Sequence, residues 1–267
     1  RAIGIVSLQN LDRTNAFTQS DINLLITLTG SLTLSLENAR LMKETQRLLQ
    51  LLEKEMDFAR ETQRSILPDV LPQHKGYDIG AMIIPARAVS GDFYDFIHLE
   101  GNRLGLVIGD VTDKGLPAAL YMALTFSLVR EEARRTADPG EVAANVNRAL
   151  LTMNSSGMFV TLLYGVLDYK TGQFSYVRAG HPLPVILNKK GTCLEIPYKT
   201  GQPLGIFKDI CIDTQSLVVP KGGLLLMHSD GLSEAIDSRG NVVDMDVVKQ
   251  DMIRLRDLPA DEICNSL

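Results

Sequence analysis

The sequence predicts an α+β layered sandwich with a long helical segment ahead of it. Three observations carry that expectation. Strand-like apolar runs follow one another across short polar turns such as Asp168–Gly172 and Asn188–Gly191, the pattern of antiparallel hairpins. Helical patterns fall in groups between the strands rather than alternating with them, which disfavours a doubly wound sheet. A stretch from about Arg40 to Leu67 contains neither proline nor glycine and is rich in Leu, Glu, Gln and Arg.

In chain order, the apolar run Ile3–Leu8 reads as a strand and Asn10–Asn15 as a turn. A helix then opens at a capping box, with Thr18 as N-cap and Asp21 where Glu or Gln is commoner. Its apolar stripe runs through Ile22, Leu25, Leu28, Leu32, Leu36 and Ala39. One strand and one helix cannot close a core, so residues 1–43 are expected to pack on something further, and the chain reads as a piece of a longer protein. Residues 44–75 read as a linker. From Met42 through Thr45, Leu49, Leu52, Met56, Ala59 and Gln63 to Ile66, spacings alternate between three and four, as in a dimeric coiled-coil seam. Leu48 and Leu51 widen that stripe and keep open a helix packed on its own domain. The helix should stop before Pro68, because the residue preceding a proline disfavours helical geometry.

Residues 76–267 carry the sandwich. Strands are expected at Ile79–Ile84, Phe93–Leu99, Leu104–Ile108, Phe159–Leu167, Phe174–Val177, Leu183–Leu187 and Leu224–Met227. Helices are expected at Pro117–Arg135, Gly140–Met153 and Val243–Leu255, with Tyr121, Met122, Leu124 and Phe126 as core contacts.

Bulk properties narrow the function. A net charge of -5 without a Lys/Arg cluster argues against a nucleic-acid binder. No apolar run approaches the ~18–20 residues of a membrane span, and no signal peptide is visible, so no membrane partner is expected. Cys193, Cys211 and Cys264 lack metal-ligand spacing, and a reduced cytoplasmic location is the simplest account.

Chemistry concentrates in Asp92, Asp110 and Asp230, each beside a glycine, with two of them directly following or ending a strand-like run. Clustered carboxylates without cysteine suit hard divalent ions such as Mg²⁺ or Mn²⁺. A single aspartate in such a place serves equally as a turn or helix cap; three together favour a metal site.

Longer motifs surround these aspartates. They are Ala88–Phe96, Ile108–Leu120, Phe159–Asp168, Ala179–Pro182, Gly201–Gly205 and Ser229–Ala235. In that order they closely resemble the bacterial SpoIIE-type phosphatases, within the wider PPM (type 2C) family. The resemblance implies a PPM-type α-β-β-α sandwich with two metal ions, Mn²⁺ or Mg²⁺, at one end. It implies that Asp110 bridges both metals, that the Val111 carbonyl is the adjoining ligand, that Asp92 holds one metal or its water, and that Asp230 serves the second. Asp95 shares the first motif and is expected to support the site or a turn. Thr112 stands where many eukaryotic relatives carry a histidine, and His181 reads either as catalytic or as a hairpin element. Gly201–Gly205 reads as a loop at the site's rim or as a plain turn, and Asp113 and Lys114 as turn residues. The family's Asp-Asp-x-Thr strand is not found before Leu267, so a further ligand is expected beyond it. Residues 3–10, 17–21 and 34–41 resemble the last strand and exit helix of a GAF sensory domain.

The resemblance therefore implies a metal-dependent protein serine/threonine phosphatase. Its expected substrate is a phosphorylated regulator, a STAS-domain anti-anti-sigma factor, under control of an upstream sensor through the helical linker of a homodimer. The alternative is a catalytically silent dimeric scaffold that binds phosphoproteins.

Overall fold

The computed structural model describes residues 4–153, 157–197, 199, 201–236, 240 and 242–267. The chain forms two compact units, Arg1–Phe58 and Ala59–Leu267. One helix, α1 (Gln19–Arg64), is continuous through the boundary expected at residues 43 and 44. Its start is the expected capping box: the Thr18 amide donates to Asp21 Oδ2 at 2.8 Å, and the Asp21 amide to Thr18 Oγ1 at 3.3 Å. No residue of α1 is buried within the chain, and Leu28, Leu32, Leu36, Leu49 and Leu52 are each more than half exposed.

The second unit continues with β1 (Phe93–Leu99), β2 (Arg103–Val111), α2 (Leu116–Arg135), α3 (Pro139–Met153), β3 (Val160–Asp168) and β4 (Gln173–Ala179). Then come β5 (Val185–Leu187), β6 (Gln215–Val218), β7 (Leu224–Leu226), the single turn α4 (Asp230–Ser233), α5 (Met245–Leu255) and α6 (Ala260–Ser266). Antiparallel pairing gives one sheet in the order β1-β2-β3-β4-β6 and a second of β5 and β7.

Side-chain alternation along the strands separates the layers. Leu162, Tyr164 and Val166 of β3 face α2 and α3, packing with Met122, Phe126, Val146 and Leu150. Leu163 and Leu167, on the other face, pack with Phe174, Tyr176, Leu225 and Met227 between the sheets. Val185, Leu187, Leu224 and Leu226 then meet Met252 and Ile253 of α5. These three apolar layers hold a four-tier α-β-β-α sandwich, each buried aliphatic or aromatic side chain contributing about 1.5–3 kcal/mol. Tyr121, Met122 and Phe126 are the buried core contacts expected of α2.

Asp95 lies on the same β1 face as Phe93 and Ile97, so it points at α2. There Arg130 grips it with two bonds of 2.6 and 2.8 Å while stacking over the Phe126 ring. This pair, with the carboxylate buried and the guanidinium half-exposed, ties β1 to α2 and occupies both Asp95 oxygens.

Two expected strands are absent. Residues 79–84 are extended but enter no ladder; Gly80 lies so close to the Ala260 backbone that a Cβ there would sit 2.4 Å from it. Asp78 caps α6 by accepting from the Ala260 amide at 2.8 Å. The run is thus drawn against a helix end at Gly80 rather than alongside a strand. Of Ile3–Leu8, Ile3 lies outside the described residues; residues 4–8 are exposed and unpaired, and no other strand is described in that unit. Conversely, β6 escaped notice because its four residues are half polar and alternately exposed.

Candidate metal centre

The register of the central sheet sets the centre of the site. Phe93 pairs with Gly109 and the Val111 amide donates to the Gly91 carbonyl at 3.3 Å, which brings Asp92 opposite Asp110. Both aspartates lie on the strand face away from α2, because their neighbours Phe93 and Val111 point into the α2 side. Asp230 arrives from the second sheet, four residues after β7, as the first residue of α4. The three carboxylates each offer an oxygen, and these oxygens lie within 4.8 Å of one another. The predicted trio is thus brought together.

Close approach of the β1 and β2 ends requires Gly91. A Cβ at that position would stand 2.5 Å from the Val111 carbonyl oxygen and 3.1 Å from Asp110 Oδ1. The Val111 carbonyl therefore lies beside the Asp110 carboxylate, against the Gly91 backbone.

The electrostatics are those of a site awaiting positive charge. Burial, reinforced by Asp92 and Asp230, pushes the Asp110 carboxyl up to about 7. Burial also raises Asp92, opposed by hydrogen bonds from Ser229 and Ser90. Asp92 Oδ1 is buried without a hydrogen-bond partner among the described residues. Three convergent carboxylate oxygens, mutually repelling and one of them orphaned, fit a hard divalent cation.

Behind the aspartates sits a layer that sequence reasoning left unassigned. Ser90 Oγ accepts from the Asp92 amide at 3.0 Å and donates to Asp92 Oδ2 at 3.2 Å. Thr161, paired with Asp110 across β2 and β3, lies 3.5 Å from the Asp110 carbonyl and 2.9 Å from His181 Nδ1. Small hydroxyl residues beside a carboxylate are the usual local partners of its backbone and oxygens, and Ser90-Gly-Asp92 and Ser229-Asp230 carried that signal.

His181 packs into the interior of the domain. Gly180, at φ +71°, turns the chain so that His181 enters the interior, where it is 1% exposed. Burial, then the neighbouring His228, pushes its pKa down to about 3, so the ring is a neutral imidazole at neutral pH. Thr112 is occupied as well: its hydroxyl bridges the Phe159 amide and carbonyl at 3.0 and 3.1 Å. Asp113 is an exposed turn residue at φ +78°. Gly201–Gly205 is a structural turn, since Leu204 pairs with Val160 and the Gly205 amide is held by Asn147 of α3 at 2.8 Å.

A buried neutral histidine leaves a pH signature. The unfolded chain binds a proton near 6.5 that folded His181 refuses until about 3, so stability is intact above 6.5 and falls as pH drops below it. Urea unfolding of the protein and of His181→Gln between pH 6 and 4 should show the variant losing less stability, by about 1 kcal/mol per pH unit. Parallel slopes would contradict the burial of a neutral imidazole.

Residues 100–267 match the family model described as Stage II sporulation protein E (SpoIIE). Protein IcfG of Synechocystis is 32% identical over 208 residues, which are 68% of this chain and 33% of that protein. Phosphoserine phosphatase RsbU of Bacillus subtilis is 29% identical over 189 residues, 71% of this chain and 56% of that protein. The chain thus spans between a third and just over half the length of these relatives. Among solved structures, the SiaA-PP2C domain of Pseudomonas aeruginosa shares the fold, with a TM-score of 0.67 at 18% identity over 81% of this chain and 87% of that one.

Proposed function

The chain belongs to the SpoIIE family, and on that premise we propose that it is a metal-dependent phosphatase acting on phosphoserine or phosphothreonine in a regulatory protein. The observation that carries this reading is the convergence of Asp92, Asp110 and Asp230 at one end of the sandwich. Asp110 and Asp92 hold their carboxylates from adjacent strand ends, and Asp230 closes the third side from α4. The Val111 carbonyl, fixed by the Gly91 contact, is the adjoining oxygen donor. When bound, two Mn²⁺ or Mg²⁺ ions supply the positive charge that polarises a phosphoryl group and acidifies water. The protein's part is to fix the Asp92 carboxylate with Ser90 and Ser229 and the Asp110 backbone with Thr161. His181, buried against Thr161, braces the strand behind Asp110.

The substrate class follows from the relatives named phosphoserine phosphatase, and the family resemblance favours a STAS-domain regulator in a cytoplasmic partner-switching pathway. Residues 1–43 are read as the end of a GAF-like sensor, 44–75 as the linker and 76–267 as the phosphatase domain. The uncovered leucines of α1 support pairing with a second copy; sedimentation as a monomer at high concentration would count against it.

The reading is tested by phosphate release from a phosphoserine protein. Turnover should require added Mn²⁺ or Mg²⁺ and vanish with EDTA; turnover undiminished by the chelator, or none on any phosphoprotein or aryl phosphate with metal present, would overturn it.

A further inference from the structure

The loop that delivers Asp92 meets the sheet only at Gly91, and residues 81–90 enter no ladder, yet Ser90 is almost fully buried. What holds it is the last turn of α1. Gln63 Nε2 donates to the Ser90 carbonyl at 2.7 Å, and Gln63 Oε1 accepts from the Ser90 amide at 2.9 Å. One turn earlier, Arg60 Nε donates to the Ala88 carbonyl at 2.9 Å. A primary amide holds a donor and an acceptor side by side in one plane, so Gln63 replaces for Ser90 what a neighbouring strand would provide. Ser90 in turn makes both of its hydroxyl contacts to Asp92, one to the amide and one to the carboxylate. The path from helix to metal ligand is therefore two residues long and wholly hydrogen-bonded.

We propose that Gln63 is a positioning residue for the metal centre, clamping the Ser90 backbone so that Asp92 is presented to the cation. This rests on the metal-dependent phosphatase reading above. Loss of the clamp leaves a buried amide and carbonyl at Ser90 without partners and frees the loop to carry the Asp92 carboxylate away from Asp110. Outer partners of metal ligands commonly change metal affinity by 10–100-fold when removed.

The test uses Gln63→Leu, nearly isosteric, and Gln63→Glu, which keeps the acceptor toward the Ser90 amide but sets a carboxylate against the Ser90 carbonyl. Mn²⁺ binding to the metal-free protein is followed by calorimetry or electron paramagnetic resonance, and hydrogen exchange reads the Ser90 amide directly. Gln63→Leu should weaken Mn²⁺ binding about tenfold, speed exchange at Ser90, and recover most of its phosphate release at saturating Mn²⁺. Gln63→Glu should weaken Mn²⁺ binding while retaining more of the Ser90 protection, and it carries the test if the leucine variant does not fold. Wild-type Mn²⁺ affinity in a folded variant whose Ser90 amide has become exposed would overturn the proposal. Because binding and exchange are measured without substrate, that result leaves the phosphatase reading standing, whereas an inactive wild type with a clear affinity difference would do the reverse.

Discussion

Asp110→Asn should abolish turnover while leaving the protein folded and, without metal, more stable. Asparagine keeps the size and the backbone of the strand end, so the β1–β2 register and the Gly91 contact survive. What it removes is the charge at the centre of the cluster. In the metal-free protein that charge is unfavourable: burial and the two neighbouring aspartates hold the carboxyl near 7. An ionised Asp110 at pH 8 therefore repels Asp92 and Asp230, and the amide relieves that repulsion. The melting temperature in EDTA should rise, by roughly 2–4 °C per kcal/mol relieved. With Mn²⁺ present the order reverses, because the wild type gains stability by binding the ion and the variant does not. Phosphate release should fall by at least about a thousandfold, the equivalent of ~4 kcal/mol of lost transition-state stabilisation. Phosphate release and thermal melts with and without Mn²⁺ check both halves. Near-normal turnover in the variant would remove Asp110 from the mechanism.

Gly91→Ala should be nearly as damaging with no change of charge. The added methyl would meet the Val111 carbonyl oxygen at 2.5 Å and the Val111 amide nitrogen at 3.3 Å, both backbone atoms of a paired strand. Neither can swing aside as a side chain would, so the loop before β1 must retreat from the end of β2. The bond from the Val111 amide to the Gly91 carbonyl opens, and Asp92 moves away from Asp110. Overpacking of this kind costs about 1–3 kcal/mol, and a displacement near 1 Å at a reacting centre lowers rates about a hundredfold. Urea unfolding and kcat/KM at saturating Mn²⁺ give the two numbers. A folded, fully active alanine variant would show that the close approach of the two strand ends is dispensable.

The two variants also mark how far the sequence could be read. Asp92, Asp110 and Asp230 were visible because each stands beside glycine and two of them adjoin a strand-like run, a local signal that survives without coordinates. The α+β layered sandwich followed from short turns and grouped helices, its α-β-β-α order from the family resemblance, and β1 was legible to the residue, Phe93–Leu99. Asp95 was the counterexample within the same motif. Period-two alternation already placed it on the Phe93 face, but its partner Arg130 is thirty-five positions away on a helix, and no local pattern announces that pairing. The misread run at 79–84 failed for a related reason. Its composition suits a strand, but pairing is decided by which edges are free, and Gly80 is pressed against α6 at the far end of the chain. Gln63 was read as a polar interruption of an apolar seam; its contact with Ser90 is a tertiary fact that heptad spacing cannot hold. His181 was read either as catalytic or as a hairpin element; its burial beside Thr161 is likewise a tertiary fact.

The central claim is that three aspartates from separate segments form one cation site. Electron paramagnetic resonance of Mn²⁺ titrated into the metal-free protein, alongside Asp92→Asn, Asp110→Asn and Asp230→Asn, tests it most directly. The account expects saturable Mn²⁺ binding in the wild type and a marked loss of affinity in each variant, greatest for Asp110→Asn. Mn²⁺ binding that all three substitutions leave unchanged, or no binding by the wild type at millimolar Mn²⁺, would contradict it.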